Sequence, residues 1–284
     1  MKSRWKEVPK IDFHVHIVLH EREDTDLQLN TLEMMLEAME ENNVERAVVL
    51  PINYPDYFPL TDDERKDWLR ANNERQAELM EQGQGRLIAF ADCALDGPYL
   101  QENAGAVELS RAIGELGLRG LKVHPSNLKV PADDPRLRPY LLAAERLGVP
   151  IVFHANPSAY DPDFYGATPG RIYRAMYGLS DRFVVAHLGG TAFLELLSGR
   201  GYVDLSGGLL QICELFGVEF AERLLRRIGL ERVLFATDYP IFPYERYFQV
   251  LDQMNFSDEE IERIAYRNAE SLLKGDEQGG GSKR

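Results

Sequence analysis

Histidine is scarce in this 284-residue chain, and five of its six copies close short apolar runs instead of scattering over polar stretches. The first run, Ile11-Asp12-Phe13-His14-Val15-His16, carries two imidazoles two residues apart. Alternate residues of a strand share a face, so His14 and His16 can turn both rings toward one cation. The same alternation sets Asp12 beside them and sends Ile11, Phe13 and Val15 to the other face. Later runs end in Lys122-Val123-His124, Val152-Phe153-His154, Val185-Ala186-His187 and Ala236-Thr237-Asp238. Alternation there groups Gly120, Lys122 and His124; Val152 and His154; Phe183, Val185 and His187; and Leu234, Ala236 and Asp238. Imidazoles and a carboxylate gathered at strand ends are metal ligands and proton carriers.

Each residue alone has an ordinary explanation. A His-x-His pair recurs on surfaces, His154 reads as a satisfied core histidine, and Asp238 before Pro240 reads as a turn cap. Their shared position at strand ends is what favours metal ligation. Gly189-Gly190 after His187 fit a tight turn or a close approach of backbone to ligand. Lys122 suits an anionic substrate group or an internal ion pair with Asp12 or Asp92 equally well. A carbamate bridging two metals suits it less, because His124 stands nearer the rim. Tyr54, Tyr57 and Phe58, and later Tyr160 and Tyr165, are placed to wall a substrate pocket. His20, next to Glu21 and Arg22, reads as solvated.

The elements that must hold these residues alternate. Apolar runs at 10–17, 46–51, 86–93, 117–124, 149–154, 182–188, 201–205 and 232–238 read as eight strands. Helical patterns fill the gaps: Leu32, Met35, Leu36 and Met39 at helix spacing, then 63–82, 100–116, 134–147, 169–177, 192–198, 218–228 and 245–254. Ser257 with Glu260 three residues on is a capping box opening a last helix to about 273. Eight βα units predict an α/β fold, a (β/α)8 TIM barrel with an additional C-terminal helix, in which strand C-terminal ends line the active-site mouth. An open doubly wound sheet is the rival. Residues 1–274 read as one domain and 275–284 as a flexible Gly-rich tail.

Composition narrows the function classes. With 46 acidic against 32 basic residues the net charge is −14, which repels nucleic acid and anionic lipid. No apolar stretch approaches the roughly 20 residues that span a bilayer. Two distant cysteines, Cys93 and Cys213, fit free thiols in a reducing compartment, hence a cytoplasmic protein. Assembly into a homo-oligomer is left open.

The segments IDFHVH, GLKVHP, IVFH, VVAHLGG and LFATDYP, in this order and followed by YRNAESLL, resemble the amidohydrolase-related ("amidohydrolase 2") family. That family holds metal-dependent TIM-barrel hydrolases and aminocarboxymuconate-semialdehyde decarboxylase-like enzymes. The resemblance implies His14, His16, His154 and Asp238 as metal ligands and His187 as acid/base, with Lys122 and His124 on a segment of less uniform role. Members with Glu in place of the first His include several aromatic-acid decarboxylases; this chain keeps His14. Three imidazoles and one carboxylate suit one Zn2+, with Mn2+, Fe2+ or Co2+ as alternatives.

The first expectation is therefore a hydrolase that opens an amide, lactone or similar carbonyl bond of a small molecule by metal-activated water. His187 and Asp238 would be its catalytic groups, and Lys122, His124, Tyr57 and Tyr160 would bind substrate. The second is a metal-dependent decarboxylase of a small unsaturated or aromatic carboxylic acid in the same pocket. The third is a barrel that binds metal or ligand without turnover, which a full ligand set disfavours.

Overall fold

The computed structural model describes residues 3–19, 29–52, 61–156 and 165–274. All eight expected strands form, each shorter than its apolar run except β2, which is as long but starts two residues earlier: β1 Lys10–Val15, β2 Val44–Val49, β3 Leu87–Ala89, β4 Leu121–Val123, β5 Ile151–Phe153, β6 Phe183–Val185, β7 Tyr202–Asp204 and β8 Val233–Leu234. They pair in parallel, β1-β2-β3 and β4-β5-β6-β7-β8. Parallel bridges Ala91–Leu121 and Val15–Tyr239 join the two sets at both seams. At the second seam Phe13 N donates to Phe235 O (2.9 Å), Asp238 N to His14 O (2.8 Å) and His16 N to Tyr239 O (2.8 Å). Both seams are closed, so the sheet is a (β/α)8 barrel, and the open-sheet alternative fails.

Two apolar clusters separate inside from outside. Ile11, Phe13, Val48, Phe90, Val152, Val184, Ala186, Leu234 and Ala236 form one, drawn from six strands and their C-terminal extensions, which only the barrel interior can bring together. Val15, Val49, Leu121, Phe153, Phe183 and Val185 belong to the other, packed against the helices. Ala269 and Leu272 of the closing helix join the inner cluster, and Arg182, at the start of β6, donates to Leu272 O (2.7 Å). That helix therefore floors the barrel at the strands' N-terminal ends.

These clusters correct two expected faces. On β1, Ile11 and Phe13 point inward and Asp12 outward, where it accepts from Thr237 Oγ1 (2.5 Å). The register slips between Asp12 and Val15, a bulge that sets Phe13 and His14 on the same side. Uniform alternation fails at that extra residue. On β6, Val184 and Ala186 face inward while Phe183 and Val185 face the helices, so His187 cannot reach the mouth by alternation.

Local capping explains the helix boundaries. Ser257 Oγ accepts from Glu260 N (3.2 Å) and Glu260 returns a bond to Ser257 N (2.9 Å), the expected box, opening helix Asp258–Glu262. The long charged helix expected at 63–82 is broken in two, Asp62–Lys66 and Trp68–Gln82. Asp67 leaves helical geometry there, caps the second piece through Arg70 N and accepts from Tyr99 Oη (2.6 Å). Helix Gly208–Phe216, between β7 and helix Val218–Ile228, has no counterpart in the sequence reading. Among the described residues no helix is long and apolar enough to cross a membrane.

Candidate active site

Every histidine expected at a strand end lies in or just past one. His14 is within β1 and His16 one residue beyond it; His124 follows β4, His154 follows β5, and His187 stands two residues after β6. All five are buried, with Lys122, Asp204 and Asp238 among them. What turns His187 into the mouth is backbone conformation. His187, Leu188, Gly189 and Gly190 all have positive φ (57°, 47°, 72° and 55°). Gly190 is required in this turn, since a Cβ there would meet Asn156 Oδ1 at 2.9 Å. Asp238 also has positive φ (65°). Left-handed backbone at His187, Leu188 and Asp238 costs about 1–3 kcal/mol per residue and persists only where surrounding contacts fix it.

Those contacts decide where the ring protons sit. His16 Nδ1 lies 2.8 Å from Leu50 O, which can only accept, so the proton of a neutral ring is on Nδ1 and Nε2 presents a lone pair. His14 Nδ1 lies 2.9 Å from Asp204 Oδ2 and by the same reasoning carries the proton. His187 Nδ1 faces Ser206 O (3.1 Å) and Ser206 Oγ (2.9 Å). The Ser206 hydroxyl itself donates to Asp204, so His187 Nδ1 is the donor to Ser206. His187 Nε2, then bare, accepts from His154 Nδ1 at 2.9 Å. His154 Nε2 is left as a buried lone pair with no hydrogen-bond partner.

Lone pairs and a carboxylate thus face one another. His16 Nε2 stands 3.0 Å and His14 Nε2 3.6 Å from the same oxygen, Asp238 Oδ1, which has no hydrogen-bond donor. The ligand atoms of His14, His16 and Asp238 all lie within 4.8 Å of one another. Such a trio is repulsive unless a positive charge lies among its members, and the nitrogen–oxygen donor set fits a divalent transition ion. His154 is not within that close group. It stands beyond His187 and offers its unpartnered Nε2.

Burial sets the electrostatics. It drives His14, His124 and His154 well below the ordinary histidine range, helped by Lys122 or the neighbouring rings, so they remain neutral. His187 is lowered too, by burial against the opposing pull of Asp238 and Asp204. Burial works to raise Asp238, while positive charge shared with the nitrogens of His14, His16 and His187 opposes it and holds the carboxyl well below its usual range. Lys122, lowered to about 8 by burial, keeps its charge at neutral pH, with Nζ 3.3 Å from His14 Nε2.

The expected site residues divide as follows. His14, His16, His154, His187, Asp238 and Lys122 are brought together. His124 stacks on His154 (ring centroids 3.8 Å apart), and its Nδ1 accepts from Asn127 N (3.3 Å). Lys122 is not paired with Asp12, which faces outward; its negative neighbours are Asp204, Asp238 and Asp92. Tyr57 and Tyr160, with Tyr54, Phe58, His20 and residues 275–284, lie outside the described residues, and Tyr165 is exposed.

The sequence reading omitted Asp204 and Ser206, although Asp204 ends β7 as the other site residues end theirs. It also omitted the outer wall. A cavity of ≈ 400 Å3 is lined by His154, His187 and Asp238 together with Gln211, Glu214, Phe242 and Arg246. The Arg246 guanidinium lies over the Phe242 ring, 5.6 Å from its centroid.

Comparison with known proteins gives the chain's relatives. A family model described as amidohydrolase matches residues 11–275. The gamma-resorcylate decarboxylase of Rhodococcus jostii (strain RHA1) is 27% identical over 295 residues, covering 87% of this chain and 88% of that protein. Among solved structures, the 2,6-dihydroxybenzoate decarboxylase from Rhizobium superposes with a TM-score of 0.70 at 18% identity, covering 94% of this chain and 98% of that one. A dihydroxybenzoic acid decarboxylase from Polaromonas sp. JS666, holding manganese and the inhibitor 2-nitroresorcinol, gives 0.69 at 19% identity, covering 94% and 97%.

Proposed function

The chain belongs to the amidohydrolase family, and from that premise we propose that it is a metal-dependent decarboxylase of a small aromatic carboxylic acid. The observation that carries this reading is the cluster His14, His16 and Asp238, whose Asp238 lines a cavity together with His187, Phe242 and Arg246. The identity to a gamma-resorcylate decarboxylase over most of both chains supports it. Hydrolysis, the first expectation, has less support.

His14, His16 and Asp238 would hold the ion, with His154 Nε2 as a further donor. Once bound, a divalent ion supplies fixed positive charge that anchors oxygens of the acid. Three imidazoles suit Zn2+ on chemical grounds, and Mn2+ has a precedent in the Polaromonas decarboxylase. Loss of CO2 from an aryl acid requires a proton at the ring carbon that bears the carboxylate; the electrons of the breaking C–C bond then return to the ring. We assign delivery of that proton to the pair Asp238 and His187, whose Oδ2 and Nδ1 are 3.8 Å apart; the pair takes the proton up from solvent and returns to its resting state on passing it to the ring carbon. Lys122 adds a buried cation at the site's base, suited to an anionic substrate. Phe242 offers a face for the aromatic ring, and Arg246 a second cation at the outer wall.

The test is a panel of 2,6-dihydroxybenzoate, other hydroxybenzoates, unsaturated acids, lactones and amides, assayed with Zn2+- or Mn2+-loaded protein and CO2 detection. CO2 from at least one aryl acid is expected. Opening of a lactone or amide with no CO2 from any acid would restore the hydrolase.

A further inference from the structure

We infer that Asp204 is a positioning residue that fixes the proton of His14 on Nδ1 and so keeps Nε2 of that ring free to bind a metal. Its carboxylate is fully buried and each oxygen has a defined task. Oδ1 accepts from His187 N (2.8 Å), Ser206 N (3.1 Å) and the Ser206 hydroxyl. Oδ2 accepts from His14 Nδ1 (2.9 Å). The ligand atoms of His14, His187 and Asp204 also lie within 4.8 Å of one another, which by distance alone makes them a second cation group. Protons already fill it: four donors point at the two oxygens, so the group is a hydrogen-bond hub and holds no ion. The hub ties the His14 ring to the backbone of His187, inside the left-handed turn, so one carboxylate sets both the metal-facing nitrogen and the position of the proton carrier. Carboxylates that orient metal-bound histidines in this way raise affinity by about 10–100-fold.

Two backbone N–H groups make the consequence of Asp204→Asn specific. They require an oxygen at the Oδ1 position, which forces the amide NH2 to the Oδ2 position, facing His14 Nδ1. Donor then meets donor at Nδ1, where the only other acceptor, Ser206 Oγ (3.2 Å), is already shared with His187 Nδ1; the His14 proton is driven to Nε2, where it blocks the lone pair and displaces Lys122 Nζ from its 3.3 Å contact.

The experiment is long-range 1H–15N NMR of histidine-labelled, metal-free full-length chain, with His14 assigned through His14→Gln. Wild type is expected as the Nδ1–H tautomer and Asp204→Asn as Nε2–H. A wild-type ring protonated on Nε2, or an unchanged tautomer in folded Asp204→Asn, overturns the inference. Should Asp204→Asn not fold, the wild-type tautomer decides alone, and Ser206→Ala, which leaves the Asp204 carboxylate in place, is expected to retain Nδ1–H. Zn2+ titration against a chelator supplies the second readout, with about 10–100-fold weaker binding expected in Asp204→Asn. This readout rests on the proposed metal site while the tautomer does not. Wild type that binds neither Zn2+ nor Mn2+ would overturn the proposed function and leave the NMR result to judge Asp204.

Discussion

His16 Nε2 lies 3.0 Å from Asp238 Oδ1 while its other nitrogen is committed to the Leu50 carbonyl. A lone pair and an anionic oxygen held this close by a strand end repel unless positive charge is shared between them, which a bound metal ion would supply. The pair therefore defines the part of the site most sensitive to substitution.

Asp238→Asn keeps the shape of that pair and removes its charge. Purified wild-type protein is expected to carry about one transition ion per chain by elemental analysis, and the variant less than a tenth of that. Equal content in both would remove Asp238 from the ligand set.

His187 stands outside the close ligand trio and should behave differently. His187→Asn is expected to lower kcat by about 10²–10⁴, the range for loss of a general acid or base, with metal content retained. Metal loss matching that of Asp238→Asn would make His187 a ligand instead.

Arg246 lines the cavity, its guanidinium over the Phe242 ring. Arg246→Ala is expected to raise KM for an aryl acid about tenfold and leave kcat within a factor of two or three. A fall in kcat at constant KM would place the guanidinium in the reaction itself.

Away from the site, Lys10 gives the stability a pH dependence. Its ammonium is buried under Trp5, where Nζ donates to Trp5 O (2.7 Å) and Val8 O (2.5 Å), and burial lowers it from 10.5 to about 7. Between these values the unfolded chain binds the proton and the folded chain does not, so this residue's contribution improves as pH rises from 7 to 10. At about 1.4 kcal/mol per pK unit the swing is on the order of a few kcal/mol. Urea unfolding of wild type and Lys10→Met at pH 7 and pH 9.5 should show wild type gaining on the variant at the higher pH. A constant difference would contradict the shift.

Much of this was legible in the residues. Eight apolar runs gave eight strands in parallel order, and five histidines with Asp238 met at one rim because strand ends in a barrel have nowhere else to go. Side-chain direction was legible only where the strand was regular. A bulge defeated alternation at Asp12, and at His187 four consecutive left-handed residues did what alternation was expected to do. Asp204 escaped notice because a lone acidic strand end looks like a turn cap until its partners are known. Helix Gly208–Phe216, which supplies Gln211 and Glu214 to the cavity wall, is short and apolar enough to merge with the pattern that follows it.

The last seam of the barrel is the one between β1 and β8, and it joins His14 to Asp238 across nearly the whole chain. A nascent polypeptide emerging from the ribosome displays its imidazoles early but has no carboxylate to complete the trio until the eighth strand is released. Capture of an ion by the proposed trio would thereby be deferred to the end of synthesis, and a truncated translation product, however well its first strands pair, would lack the proposed carboxylate ligand.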